Sequence, residues 1–230
     1  MAEEPVEYTL EGKVAVIRLD DGKANALSHG MLDAIHAAFD RAQEEDAGAV
    51  ALVGRPGRFS AGFDLSVMSQ GPEAVTELVA KGAGLALRIF DWPTPVVLGV
   101  TGHALAMGAV LCLSADERIG SEGAYKLGLN EVAIKMTLPD FALVLADDRL
   151  SRRHLSRATA GAEIYAPQGA VEAGYLDRVV PDGEADGAAR ARAAELADTL
   201  HGGSHARTKR ALRARVIERL RAAVEGFTGL

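Results

Sequence analysis

The chain has 230 residues, 48% of them hydrophobic, enough for one domain with a full core. Lys plus Arg number 25 against 32 Asp plus Glu, a formal charge of -7, which argues against nucleic acid as a general partner. No apolar run reaches the roughly 18 residues of a membrane span, and a lone cysteine, Cys112, excludes an internal disulfide and a cysteine-clustered metal site. The opening MAEEPVEYTL is acidic and lacks the basic flank and apolar run of a signal peptide, so a cytoplasmic location is expected.

VEYTL and KVAVIRLD, separated by Glu11-Gly12, read as a β-hairpin. Ser28 is placed to cap a helix whose apolar face, Met31, Leu32, Ile35, Phe39 and Ala42, runs to Gln43. Residues 49–54 and 95–100 are apolar and β-branched, as in buried strands. Between them a helix follows Gly71-Pro72, weakened by Gly82 and Gly84. Strands alternating with helices predict an α/β fold built on mainly parallel sheet. Beyond residue 140 the pattern turns helical, at 141–158, 167–174 and 184–200. In the last helix Leu212, Val216, Leu220, Val224 and Phe227 form a stripe that needs a partner, and the Arg-rich segment 205–221 reads as its solvated face.

Four segments are candidates for chemistry: KANAL (23–27), RFSAGFDL (58–65), GHALAMGAV (102–110) and YKLGLNEVAI (125–134). The turns at Gly62 and Gly108 follow predicted strands and precede helical patterns. Such turns leave backbone N–H groups free to converge on an anion, and small residues let a ligand approach the main chain. An enolate of a thioester is one anion of that kind. Asp64 after its turn suits a helix cap, and Asn25 suits shaping a turn.

Taken in order, Ala24-Asn25-Ala26-Leu27, Ser60-Ala61-Gly62-Phe63-Asp64-Leu65, Pro95 to Gly102, Ala106-Met107-Gly108, Asp116, Gly128 to Glu131 and PQGAVEAGYLDRVVP resemble the enoyl-CoA hydratase/isomerase family of the crotonase superfamily. The resemblance runs from the hairpin to about Pro181. It implies a crotonase-like (ClpP/crotonase) spiral of ββα units over residues 1–182, with a C-terminal helical region at 183–230, assembled as a homotrimer or a dimer of trimers. It also implies acyl-CoA thioesters as substrates, with coenzyme A entering only as part of the substrate and no permanently bound cofactor or metal. By position, the Phe63 and Met107 N–H groups would form an oxyanion hole around the thioester carbonyl. Ala24, Asn25, Ala26, Leu27, Ala61, Gly62, Phe63, Asp64 and Gly108 would border the coenzyme.

Hydratases of the family use two glutamates. Here the first position is Val110, which can neither hold water nor transfer a proton, while the second survives as Glu131. Its neighbours Leu129, Val132, Ala133 and Ile134 suggest burial and a raised pKa. One base beside an oxyanion hole suits the proton shift of a Δ3,Δ2-enoyl-CoA isomerase. Hydration would need another group to position water, and the candidates are His103, which a structural role would occupy more often, and Asp140, which suits a helix cap. Met107, where the family usually has glycine, keeps its backbone donor and narrows the acyl pocket. Besides isomerase and hydratase, hydrolysis through a thioester oxyanion and a non-catalytic acyl-CoA binder stay open. A serine hydrolase has no G-x-S-x-G elbow to support it.

Overall fold

The computed structural model describes residues 4–227. β1 (Val6–Glu11) and β2 (Val14–Leu19) form the expected hairpin, closed by Gly12 at a φ of 62° and Lys13. The two-residue β3 (Ala26–Leu27) leads to α1 (His29–Glu44), where the Ser28 hydroxyl accepts the Met31 N–H at 3.2 Å. The helix buries Met31, Leu32, Ile35, Ala38, Phe39 and Ala42, the stripe that the spacing predicts.

Three strand pairs follow, each laying one strand in a large sheet and the next in a small one. They are β4 (Ala49–Gly54) with β5 (Gly57–Ser60), followed by β6 (Gly62–Phe63), α2 (Leu65–Met68) and α3 (Pro72–Phe90); β7 (Val96–Val100) with β8 (Gly102–Leu105) and then α4 (Met107–Ser114); and β9 (Glu117–Ser121) with β10 (Leu127–Gly128). The large sheet has the order β1-β2-β4-β7-β9-β11, where β11 is Arg178–Val180. It is parallel except for the hairpin. The small sheet is β10-β8-β5, and β3 pairs with β6. The succession of strand pairs and the helical C-terminal region agree with the fold that the sequence resemblance implies.

The helices after β10 depart from the sequence reading in two places. The pattern at 141–158 reads as one helix but forms α5 (Asp140–Arg149) and α6 (Leu155–Ala158), because the chain leaves helical geometry at Leu150, with a ψ of 143°. α7 (Pro167–Ala173) ends on Gly174 in the left-handed region, as a helix-stop glycine does. α8 (Ala185–Thr199) is not an appendage. Its Ala189 and Ala193 pack on Val14, Val16, Ala49, Ala51, Val97 and Ile119, covering one face of the large sheet. The strands β9 and β11 escaped the reading, being short and carrying Glu117, Arg118 and Arg178.

The second departure is α9 (Gly202–Glu225). Leu212, the first residue of the predicted stripe, is 82% exposed. The rest of the stripe does face the core, with Leu220 buried and Val216, Val224 and Phe227 packed against it partly buried, but Lys209, Arg213 and Ile217 are buried as well, so the Arg-rich segment is not simply solvated. The reason is Asp116, at the end of α4. Its carboxylate accepts Lys209 Nζ at 2.6 Å, Arg213 Nη2 at 2.9 Å and the Val96 N–H at 2.8 Å. Arg213 also donates to Phe90 O at 2.7 Å and lies over the Phe90 ring. Two cations can therefore be buried on a helix face that hydrophobic patterning alone would turn to solvent. Burial still pulls the Lys209 ammonium down to about 8.

Removing the carboxylate would leave both cations buried without an anionic partner. Asp116→Asn is expected to lower unfolding free energy by about 3–5 kcal/mol in denaturant titrations, whereas Leu212→Ser on the exposed face should change it by less than about 0.5 kcal/mol.

Candidate active site

The two glycine turns meet beneath one cavity. Gly62 has a φ of 92°, and a Cβ placed on it would lie 2.9 Å from Ala106 Cβ and 3.3 Å from Met107 N. A Cβ on Gly108 would lie 2.5 Å from Ser60 O. Both glycines are therefore needed for the chain to pass over itself at this point. Ser60 is buried between them; its hydroxyl donates to Asn25 O at 2.8 Å and accepts the Gly62 N–H at 3.2 Å.

Ala106 is held at φ 49° and ψ -122°, a region that L residues other than glycine rarely occupy, at a cost on the order of 1–3 kcal/mol. That conformation turns the chain out of β8 so that α4 starts at once. The N–H groups of Ala109 and Val110 bond to Ala106 O at 2.9 and 3.1 Å. Met107, the first helical residue, is left with no intrahelical acceptor for its N–H. On the facing turn the Asp64 N–H bonds to Leu27 O at 3.2 Å, so strand alternation directs the Phe63 N–H away from β3. Phe63 and Met107 both line a cavity of about 440 Å³. All eight residues of α4 are buried, so its dipole points at this cavity through a medium of low polarisability.

Glu131 lines the same cavity. It follows β10 and opens a single 3-10 turn, Val132–Ile134, that ends on Lys135 in the left-handed region; its carbonyl accepts the N–H groups of Ile134 and Met136 at 3.0 and 2.9 Å. The residue is 8% exposed, and its Oε2 has no hydrogen-bond partner among the described residues. Burial pushes the carboxyl up to about 7, against a weaker downward pull from its own backbone N–H. Val110 lies on the cavity wall and adds no polar atom there.

The remaining sequence candidates separate into two groups. Ala24, Ala26, Ala61 and Asp64 line the cavity together with Phe63. Asn25, Leu27, Gly62 and Gly108 are not among the residues that line it. Asn25, at a φ of 51°, is fully buried and donates Nδ2 to Leu19 O and Phe59 O at 2.8 and 3.1 Å, while its Oδ1 accepts the Asp21 N–H at 3.0 Å. It fastens the turn that carries Ala24 and Ala26. Asp64 caps α2, its Oδ1 accepting the Ser66 N–H at 2.8 Å.

His103 faces away from the cavity. Its Nδ1 accepts the Lys126 N–H at 3.0 Å, and its ring meets Tyr125 edge-on at 5.4 Å. Asp140 is the first residue of α5 rather than its cap; Pro139 holds the cap position, and Asp140 does not reach the cavity. Its charge still suits the first turn of a helix.

Leu65, Asn130 and Ile134 line the cavity from within the segments that the sequence singles out, although the sequence gives them no role there. Sequence reasoning missed Met68, Val79, Met136, Thr137, Phe141 and Ala142. These reach the cavity through the packing of α2, α3 and α5 and through the loop after the 3-10 turn. Apart from Asp64, Asn130, Glu131 and Thr137, the lining side chains are apolar. The cavity therefore suits an apolar chain and carries one buried carboxyl able to exchange a proton with a group held beside it.

With this geometry established, the comparisons with known proteins are informative. A family profile described as enoyl-CoA hydratase/isomerase matches residues 9–226. The crystal structure of an enoyl-CoA hydratase/isomerase family protein from Pseudomonas syringae is 42% identical, with a TM-score of 0.94 over 98% of this chain and 97% of that one. The mitochondrial enoyl-CoA delta isomerase 1 of Rattus norvegicus is 26% identical over 189 residues, 80% of this chain but 65% of the rat protein, so this chain spans just under two-thirds of that relative. A putative enoyl-CoA hydratase of Thermus thermophilus is 34% identical over 197 residues, 81% of this chain and 76% of that protein.

The raised Glu131 pKa has a consequence for stability. Between pH 4.5 and about 7 the folded state holds a proton that the unfolded state has released, so stability falls as pH rises through this window, by roughly 3 kcal/mol in total. Glu131→Gln removes the penalty. Its unfolding free energy, measured in urea, should exceed that of the parent by about 1–3 kcal/mol at pH 8 and match it at pH 4.5.

Proposed function

Because the chain belongs to the enoyl-CoA hydratase/isomerase family, we propose that it acts on enoyl-CoA thioesters and that its reaction is a single-base shift of the double bond from C3 to C2. The observation that carries this reading is that one buried glutamate, whose Oε2 has no hydrogen-bond partner among the described residues, shares an apolar cavity with Phe63 and Met107, while Val110 occupies the place where a second carboxylate would stand.

In this reading the thioester carbonyl oxygen accepts the N–H groups of Phe63 and Met107. Ionised Glu131 removes a proton from C2, and the electron pair passes into the carbonyl to give a dienolate. The two donors, fixed before substrate arrives, stabilise the developing charge; loss of one such donor typically costs on the order of 100- to 1000-fold in rate. Glu131, now protonated, delivers the proton to C4, the double bond settles between C2 and C3, and the carboxylate is regenerated. Coenzyme A takes part only as the carrier of the acyl group, its path bordered by Ala24, Ala26, Ala61 and Asp64.

The pKa near 7 supports both halves of this cycle, since the carboxyl must accept a proton from carbon and then release it. Hydration is the second reading, favoured by the similarity to the Thermus thermophilus protein. It is less well supported because His103 and Asp140, the groups expected to position water, do not reach the cavity.

A purified sample incubated with a 3-enoyl-CoA should yield the 2-enoyl-CoA, with kcat/KM rising tenfold per pH unit below about 7 and level above it, as ionisation of Glu131 requires. Glu131→Gln should lose about 100- to 10,000-fold of that activity while still binding the thioester. Formation of a 3-hydroxyacyl-CoA from the 2-enoyl ester at a comparable rate would instead favour the hydratase.

A further inference from the structure

α3 supplies Val79 to the cavity wall but no group to the chemistry. Yet one of its residues has an unusual relation to the site. Gly82 is buried in the middle of this 19-residue helix, where glycine is about 1 kcal/mol less favourable than alanine. Its φ is not in the left-handed region, so the backbone would accept any L residue. What would object is a side chain: a Cβ on Gly82 would lie 2.5 Å from Phe63 Cε1 and 2.6 Å from Cζ, and 3.5 Å from Met107 Cε. The Phe63 ring is thus seated in a notch that the missing Cβ creates. Gly84, two residues on, has open space around its Cβ direction and carries no such constraint.

The seated ring is also a wall of the cavity, together with Met107. A ring pushed off the helix has the cavity before it, because α3 closes the opposite side. Met107, by contrast, would meet the added methyl at an ordinary contact distance and need not move.

We propose that Gly82 is a specificity-determining residue: by seating the Phe63 ring in α3, it opens the depth that admits extended, apolar acyl chains. The inference rests on the acyl-CoA reading given above. Gly82 touches neither the reacting atoms nor the thioester; it acts through the position of one ring, while the Phe63 N–H belongs to the backbone and stays where β6 holds it. Substitution at Gly82 therefore alters how long a chain is accepted before it alters the chemistry of the carbonyl.

The test is calorimetric binding of two unreactive saturated thioesters, butyryl-CoA and decanoyl-CoA, to the full chain and to Gly82→Ala, Phe63→Ala and the double variant. Gly82→Ala should weaken decanoyl-CoA binding about tenfold, the scale of one methylene misfit in an apolar pocket, and leave butyryl-CoA within about twofold. In the Phe63→Ala background the same glycine substitution should have no effect on the ratio of the two affinities, because the ring it displaces is gone. Thermal unfolding guards against a merely structural effect, since in the Phe63→Ala background, where the ring is gone, alanine at this helix-interior position should not lower the melting temperature. Equal loss of both ligands in Gly82→Ala, or a chain-length effect that persists without the Phe63 ring, overturns the proposal while leaving the acyl-CoA reading intact. Binding of neither thioester by the parent protein overturns both.

Discussion

The site depends on the close crossing of two turns, at Gly62 and at Ala106 to Gly108. Strands β5 and β8 are parallel neighbours, and their ends must diverge into α2 and α4 within a few residues. Side chains at Gly62 or Gly108 would collide with Ala106 or Ser60, and Ala106 sits in a conformation that costs energy. Those features only make sense together. The crossing brings Phe63, at the end of β6, and Met107, at the start of α4, to the same cavity. Donors held this way do not reorganise when charge develops, which is where electrostatic catalysis gains over water.

Charge elsewhere in the molecule is arranged around this apolar centre. The cavity holds a carboxylate that burial destabilises, so the fold carries an internal penalty at neutral pH. At the far end of α4 the opposite solution is used. Asp116 is half-buried, but it is engaged by Lys209, Arg213 and the Val96 N–H. Arg149 adds donors to Leu113 O and Ala115 O at 3.2 and 2.6 Å, satisfying carbonyls at the helix end. One end of the helix is closed with hydrogen bonds and ion pairs, and the other is left open toward the cavity.

Much of this was legible in the sequence where the determinants are local. The Ser28 cap, the hairpin at Gly12, the apolar strands 49–54 and 96–100, and the helix cap at Asp64 depend on residues a few positions apart. The glycine turns were legible as possible anion sites, and their order along the chain made the fold recognisable. What escaped depends on distant partners. Lys209 and Arg213 look like surface residues until Asp116, roughly ninety positions earlier, is placed beside them. Gly82 reads as a flaw in a helix until Phe63 is seated on it. His103 lies in the right segment, but β8 alternates its side chains, and the strand pairing with β10 takes its ring to the outer side.

The central claim is that one carboxyl both removes and returns the proton. A 3-enoyl-CoA deuterated at C2, converted in ordinary water under single-turnover conditions, tests it directly when the product is read by deuterium NMR. The account predicts deuterium at C4 in a measurable share of the 2-enoyl product, carried there by Glu131. Deuterium still carried to C4 by a Glu131→Gln variant at a comparable rate would contradict it, because a second group would then be moving the proton.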